Sequence, residues 1–167
     1  MSSFFNFPNV PIGTMRASKL NKVTPEPTEG AKGYSSGIEV ADMSGSAKGW
    51  NVKVAMTTPL QTTEGKELKG WELYIPTEKI KSAGLETNEV IGHAVTLTKE
   101  GATGTVFRAV QGKGKGRFAN IFESYTEAAA TEEGLTRKKG VQLTVQNGAY
   151  KGAYQGKLTW TLQNVPN

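Results

Sequence analysis

Cysteine is absent from this 167-residue chain. That excludes a disulfide framework, a thiolate metal site and a cysteine nucleophile. It does not fix the compartment, because a chain of this length can bury enough core to do without disulfides. Histidine occurs once, at His93. One imidazole with scattered carboxylates is a poor start for a metal site, and a lone histidine at a strand start is more often a satisfied or surface residue than a base. No run approaches the roughly 18 apolar residues of a membrane span. The opening MSSFFNFPNVPIG lacks a basic n-region, and Pro8 and Pro11 interrupt its short apolar run, so it does not read as a signal peptide. Two readings stay open: a cytoplasmic protein, or the mature or trimmed form of an exported one.

Enzyme signatures are equally scarce. The letters G-x-S-x-G occur at GYSSG, Gly33 to Gly37, but they lead into the strand-like GIEVADM rather than a helix, so they do not make a nucleophile elbow. The stretch QGKGKGR lacks the order of a phosphate-binding loop and does not join a strand to a helix. Glu123, Glu127, Glu132 and Glu133 could supply two carboxylates across a cleft, as glycoside hydrolysis needs. Solvated charge is the simpler account of them. The expectation is a chain with no catalytic residues, no metal site and no cofactor.

What is present is glycine, 20 of it, between short runs of alternating apolar and polar residues. WNVKVAM sets Trp50, Val52, Val54 and Met56 on one face and Asn51, Lys53 and Ala55 on the other, the pattern of a half-buried strand. WELYIP repeats it with Trp71, Leu73 and Ile75, and Pro76 ends it. GIEVADM, HAVTLT, GTVFRAVQ, RFANIF and VQLTVQ read as further strands, and FFNFPNVPIG as a short edge strand or irregular segment. Asn147-Gly148 is a hairpin-type turn signal before a last strand from about Tyr154 to Gln163. ESYTEAAATEEG, Glu123 to Gly134, is the best helix candidate, although its apolar periodicity is poor and a charged loop fits as well. The pattern predicts one all-β domain over 1–167: a β-sandwich, barrel-like, of about eight or more strands with at most one short helix.

The net charge is +5. Its densest basic stretches are GKGKGR, Gly112 to Arg117, and TRKKG, Thr136 to Gly140. Neither interleaves aromatics as a single-strand nucleic-acid surface does, so no nucleic-acid partner is expected. Solvated loops and contact with an acidic polymer both fit. The three tryptophans say more. Each has an aliphatic residue two places on: Trp50 with Val52, Trp71 with Leu73, Trp160 with Leu162. In a strand that spacing puts both side chains on one face. Such a pair serves core packing or an aromatic platform for sugars or a partner chain. KGWNVKV and KGWELYI also share Lys-Gly-Trp and the alternation after it, 21 residues apart.

VADMSGSAKGWNVKV, Val40 to Val54, resembles the first motif region of the WxL domains of Gram-positive bacteria, with an aspartate, a small-residue turn, Gly-Trp and an alternating strand. GAYKGAYQGKLTWTLQNVP, Gly148 to Pro166, is similar to their C-terminal end, where a tyrosine precedes an L-T-W-x-L strand. The opening FNFPNVPIG resembles the aromatic segment that begins such domains. The first motif departs from the pattern, since Val52 stands where leucine is usual; the literal W-x-L at Trp71 lies outside that context. The resemblance implies a secreted all-β module, its signal peptide already removed, attached non-covalently to the Gram-positive cell wall with peptidoglycan as ligand. Anionic wall polymers would assist, and a membrane-anchored surface protein would be the partner. It assigns ligand binding to Trp50, Val52, Trp160 and Leu162, supported by Tyr154. Two other readings remain: an assembly or adhesion module that reaches the wall through a partner or binds a host matrix protein, and a wall hydrolase using Glu123 or Glu127.

Overall fold

A computed structural model of the chain describes residues 20–23, 33–126, 140–146 and 149–164. Among these residues the protein is all-β, with no helix. Twelve strands form three four-stranded antiparallel sheets in a sandwich-like arrangement that does not close into a barrel. The first sheet has the order β1 (Leu20–Val23), β11 (Gln142–Gln146), β4 (Glu72–Ile75), β8 (Val95–Thr98). The second runs β2 (Gly33–Asp42), β10 (Gly116–Thr126), β5 (Lys79–Ser82), β6 (Leu85–Glu86). The third runs β12 (Gln155–Asn164), β3 (Trp50–Gln61), β9 (Thr103–Ala109), β7 (Ile91–Gly92).

One hydrophobic cluster draws on all three sheets. The first gives Leu73, Ile75, Val95, Leu97, Leu143 and Val145; the second gives Val40, Phe118 and Phe122; the third gives Val52, Val54, Val106 and Phe107. These are the apolar positions of the alternating strands, which face inward because every second side chain of a strand shares a face. The third sheet also contains a β-bulge. Val52 pairs with Phe107 but Lys53 with Thr105, so Val106 is the extra residue. Consecutive Val106 and Phe107 are therefore both buried, which plain alternation forbids. The Val106 carbonyl accepts the His93 N–H at 2.9 Å and the Asn120 side-chain amide at 2.8 Å. The bulge thus ties the second and third sheets together with a buried polar contact.

Several expectations need correction. Glu123 to Thr126 continue β10, so the helix candidate begins in a strand; the rest of it lies outside the described residues. So do the opening FFNFPNVPIG, most of TRKKG and the Asn147-Gly148 pair itself. The hairpin that pair suggested does not form. β11 pairs with β1 and β4, whereas β12 pairs with β3 in another sheet. A turn dipeptide governs local chain direction, but the burial of inward side chains decides which sheet a strand joins.

The GKGKG stretch is more than a solvated loop. Lys113 and Lys115 are exposed, but Gly114 between them is buried, with φ +77°. A Cβ there would overlap the Ala109 methyl and stand 2.7 Å from the Trp50 indole nitrogen. Gly114→Ala is therefore expected to destabilise the fold by about 2–4 kcal/mol, from left-handed strain plus overpacking. Gly112→Ala, with φ +85° but open space around its Cβ, should cost only about 1–2 kcal/mol. Urea unfolding of the two variants checks the difference.

Candidate functional site

The two motif strands lie side by side. Leu162 pairs directly with Val52, Trp160 with Val54 and Asn164 with Trp50. Directly paired residues share a face, so Trp50, Val52, Trp160 and Leu162 all belong to the inward face of the third sheet. Trp71 belongs to neither strand; it precedes β4 in the first sheet. The repeated Lys-Gly-Trp has a common geometry at both sites. Gly49 and Gly70 have φ of +85° and +63°, and the following tryptophan is 2% exposed in each case. The Trp71 indole nitrogen is buried without a hydrogen-bond partner.

The two motif tryptophans have different surroundings. The Trp50 ring meets Phe107 edge to face with centroids 4.8 Å apart, and its Nε1–H donates to the Gly114 carbonyl at 3.0 Å. Val52 beside it is also buried. Trp160 is half-buried and stacks on Phe122 at 5.8 Å, with an interplanar angle of 15°. Leu162 is 56% exposed although it points inward. Its exposure follows from strand order, since β12 is the edge of its sheet among the described residues. Tyr154 is half-buried just before β12, and its hydroxyl donates to the Tyr150 carbonyl at 2.7 Å, which braces the entry to that strand. The structure therefore brings the five residues to one pair of strands but gives each tryptophan ring its own phenylalanine.

The segment between β2 and β3 is fixed by one local and one long-range hydrogen bond. The Ser44 N–H donates to Asp42 Oδ1 at 2.9 Å, and the Gly112 N–H donates to the Ala47 carbonyl at 2.8 Å. Hydrogen bonds from the Ser44 hydroxyl and N–H hold the Asp42 carboxyl below the usual aspartate range, with a smaller contribution from Lys115.

The other face of the third sheet carries a feature that the sequence reading did not single out. There Asn51, Thr105 and Arg108 of the third sheet meet His93 and Ala94 of the β7–β8 connection and Val95 of β8 around an open concavity of about 470 Å³. Asn51 pairs directly with Arg108, and Lys53 with Thr105. The outward positions of the alternating strands were legible; their convergence required the strand order. Among the described residues no group of three His, Cys, Asp or Glu is placed to hold a metal ion.

With this geometry in place, comparison with protein families is decisive. The family described as WxL domain surface cell wall-binding matches residues 1–166. The chain belongs to the WxL domain family. It is thus a module of a cell-surface, cell-wall-binding family, and that family is defined by binding rather than catalysis. Comparison with curated proteins and with solved structures returned no match.

Two measurements probe this WxL site. Trp50→Ala should destabilise the domain by about 3–5 kcal/mol, as large core truncations do. Leu162→Ser, at an exposed edge, should stay within about 0.5 kcal/mol of the parent in urea unfolding. The Asp42 carboxyl should titrate below the ordinary aspartate value when followed by NMR. Its folded-state pKa is lowered, so its stabilising contribution is present above the unfolded value and is lost as pH falls through the folded one.

Proposed function

We propose that this WxL domain is a non-enzymatic module, acting as one domain over 1–167, that attaches directly and non-covalently to the peptidoglycan of a Gram-positive cell. The family supports wall binding. The observation that carries the direct contact is the half-open inward edge of β12, where Leu162 is 56% exposed beside the Trp160–Phe122 stack. An apolar side chain next to a partly covered indole suits the apolar face of a sugar ring or a peptide methyl. Trp160, Leu162 and Tyr154 make the contact in this reading. Trp50 and Val52 act from the core: they hold β3, and β3 holds β12 in register.

A second reading has its own support. β12 is a ten-residue strand whose outer edge is unpaired among the described residues, and such an edge suits strand addition by a partner such as a membrane-anchored surface protein or a host matrix protein. Sedimentation with purified sacculi, stripped of attached polymers and free of partner proteins, separates the two. Direct binding predicts co-sedimentation of the parent domain and a loss of about tenfold in affinity for a folded Trp160→Ala, Leu162→Ser variant. Absence of parent co-sedimentation favours the partner reading, and undiminished binding by the variant removes the contact from this edge.

A further inference from the structure

The outward face of the third sheet carries cations with no carboxylate on its own strands. Not one Asp or Glu occurs in β3, β7, β9 or β12, although the chain has 15 of them. Lys53 and Arg108 both project from this face and are exposed. Neither makes an ion pair among the described residues, where the four ion pairs join other side chains. Arg108 pairs with Asn51 and Lys53 with Thr105, so the two cations are diagonal neighbours, with Cα atoms roughly 7–8 Å apart. Across the other seam, Lys53 pairs with Thr161 and Asn51 with Gln163. Alternation along β12 puts Lys157 farther down the same face, next to the Thr57–Thr159 hydroxyl pair at 2.8 Å.

These groups share a chemistry. Guanidinium, ammonium, amide and hydroxyl are all hydrogen-bond donors toward an oxyanion. Around them, no carboxylate on these strands competes for the cations. The concavity that Asn51, Thr105 and Arg108 line together with His93, Ala94 and Val95 gives the oxyanion a place beside the guanidinium. The face also lacks an aromatic platform: the outward positions of β3, β9 and β12 carry no Trp, Tyr or Phe. A pyranose polymer would find no ring to stack on there. An acyclic chain bearing a fixed charge at each repeat would find separated cations with hydroxyls between them.

We propose that this face binds the phosphodiester groups of a polyol-phosphate polymer, with Arg108 and Lys53 as the charge contacts and Asn51 and Thr105 as neutral donors. This is a second site on the opposite side of the sheet from Trp160 and Leu162. It does not depend on peptidoglycan contact at β12, and it is tested without peptidoglycan.

The probe is soluble poly(glycerol phosphate), titrated by calorimetry and by amide chemical shifts at low and high salt. Binding is expected to weaken with salt and to shift the amides of Asn51, Lys53, Thr105 and Arg108. Arg108→Gln, Lys53→Gln should weaken it by about tenfold or more, the loss expected on removing hydrogen bonds to a charged group. Lys113→Gln, Lys115→Gln removes the same charge from the nearby GKGKG loop and should leave affinity within about twofold. Urea unfolding confirms that both variants fold. Absence of binding by the parent, equal losses in the two double variants, or equal affinity for polygalacturonate would each overturn the proposal. Because the sacculi used for the β12 test are stripped of such polymers, either proposal can fail while the other stands.

Discussion

The hydrogen bond from the Trp50 indole to the Gly114 carbonyl organises much of this WxL domain. The indole is wholly buried, so its N–H needs a partner or leaves a buried donor unsatisfied. Here a loop supplies it by bringing its backbone close to the ring. Gly114 does so because it has no Cβ and has a positive φ. The same residue's N–H donates to Glu89 Oε1 at 3.2 Å. One glycine therefore links the start of β3, the β9–β10 connection and the segment before β7. Just before the ring, Gly49 lets the chain pass close to the Ala109 carbonyl; a Cβ at Gly49 would stand 2.6 Å from that oxygen. The Gly-Trp pair of the motif is thus a packing unit, and the basic loop is part of it.

That anchor determines what β12 presents. With Trp50 fixed, β3 is fixed, and direct pairing of Val52 with Leu162 sets the register of the last strand. A slip of one residue would turn Trp160 and Leu162 to the outward face and send Thr159 and Thr161 inward. The Trp160–Phe122 stack opposes such a slip, because it joins β12 to the second sheet. The two motifs are far apart in sequence, yet they depend on each other: one tryptophan supplies the core that positions the other at an edge.

The strands were legible where one face is buried and the other wet. WNVKVAM and WELYIP alternate because their inward residues enter a common core; VQLTVQ alternates in residue type, although Thr144 on its other face is buried as well. β1, β5, β6 and β7 were not legible. They are two to four residues long and lack the flanking alternation that extends β4 into WELYIP, so their pairing partners make them strands. Consecutive buried Val106 and Phe107 defeat alternation because a bulge intervenes. The candidate site was legible to a similar depth. Trp-x-aliphatic spacing put each pair on one face, and the family resemblance singled out Trp50 and Trp160. Which of them reaches an edge depends on strand order, and no local pattern of residues encodes that.

A sheet with an edge strand has two usable faces, and here they differ in kind. The inward face ends at β12 in a half-covered indole and an exposed leucine, while the outward face is polar, cationic and free of acidic residues on its strands. Leu162 and Lys53 sit on adjacent strands but point to opposite sides. A ligand on one face therefore neither occludes nor directly contacts a ligand on the other. A wall in which neutral glycan and charged polymer are attached to each other could engage both faces of one domain. The second contact would then form at the high effective concentration set by the attachment, so two modest affinities would multiply into firm retention. Non-covalent anchoring by so small a surface is physically reasonable on those terms. It needs no deep pocket, only two chemically distinct faces held back to back by one sheet.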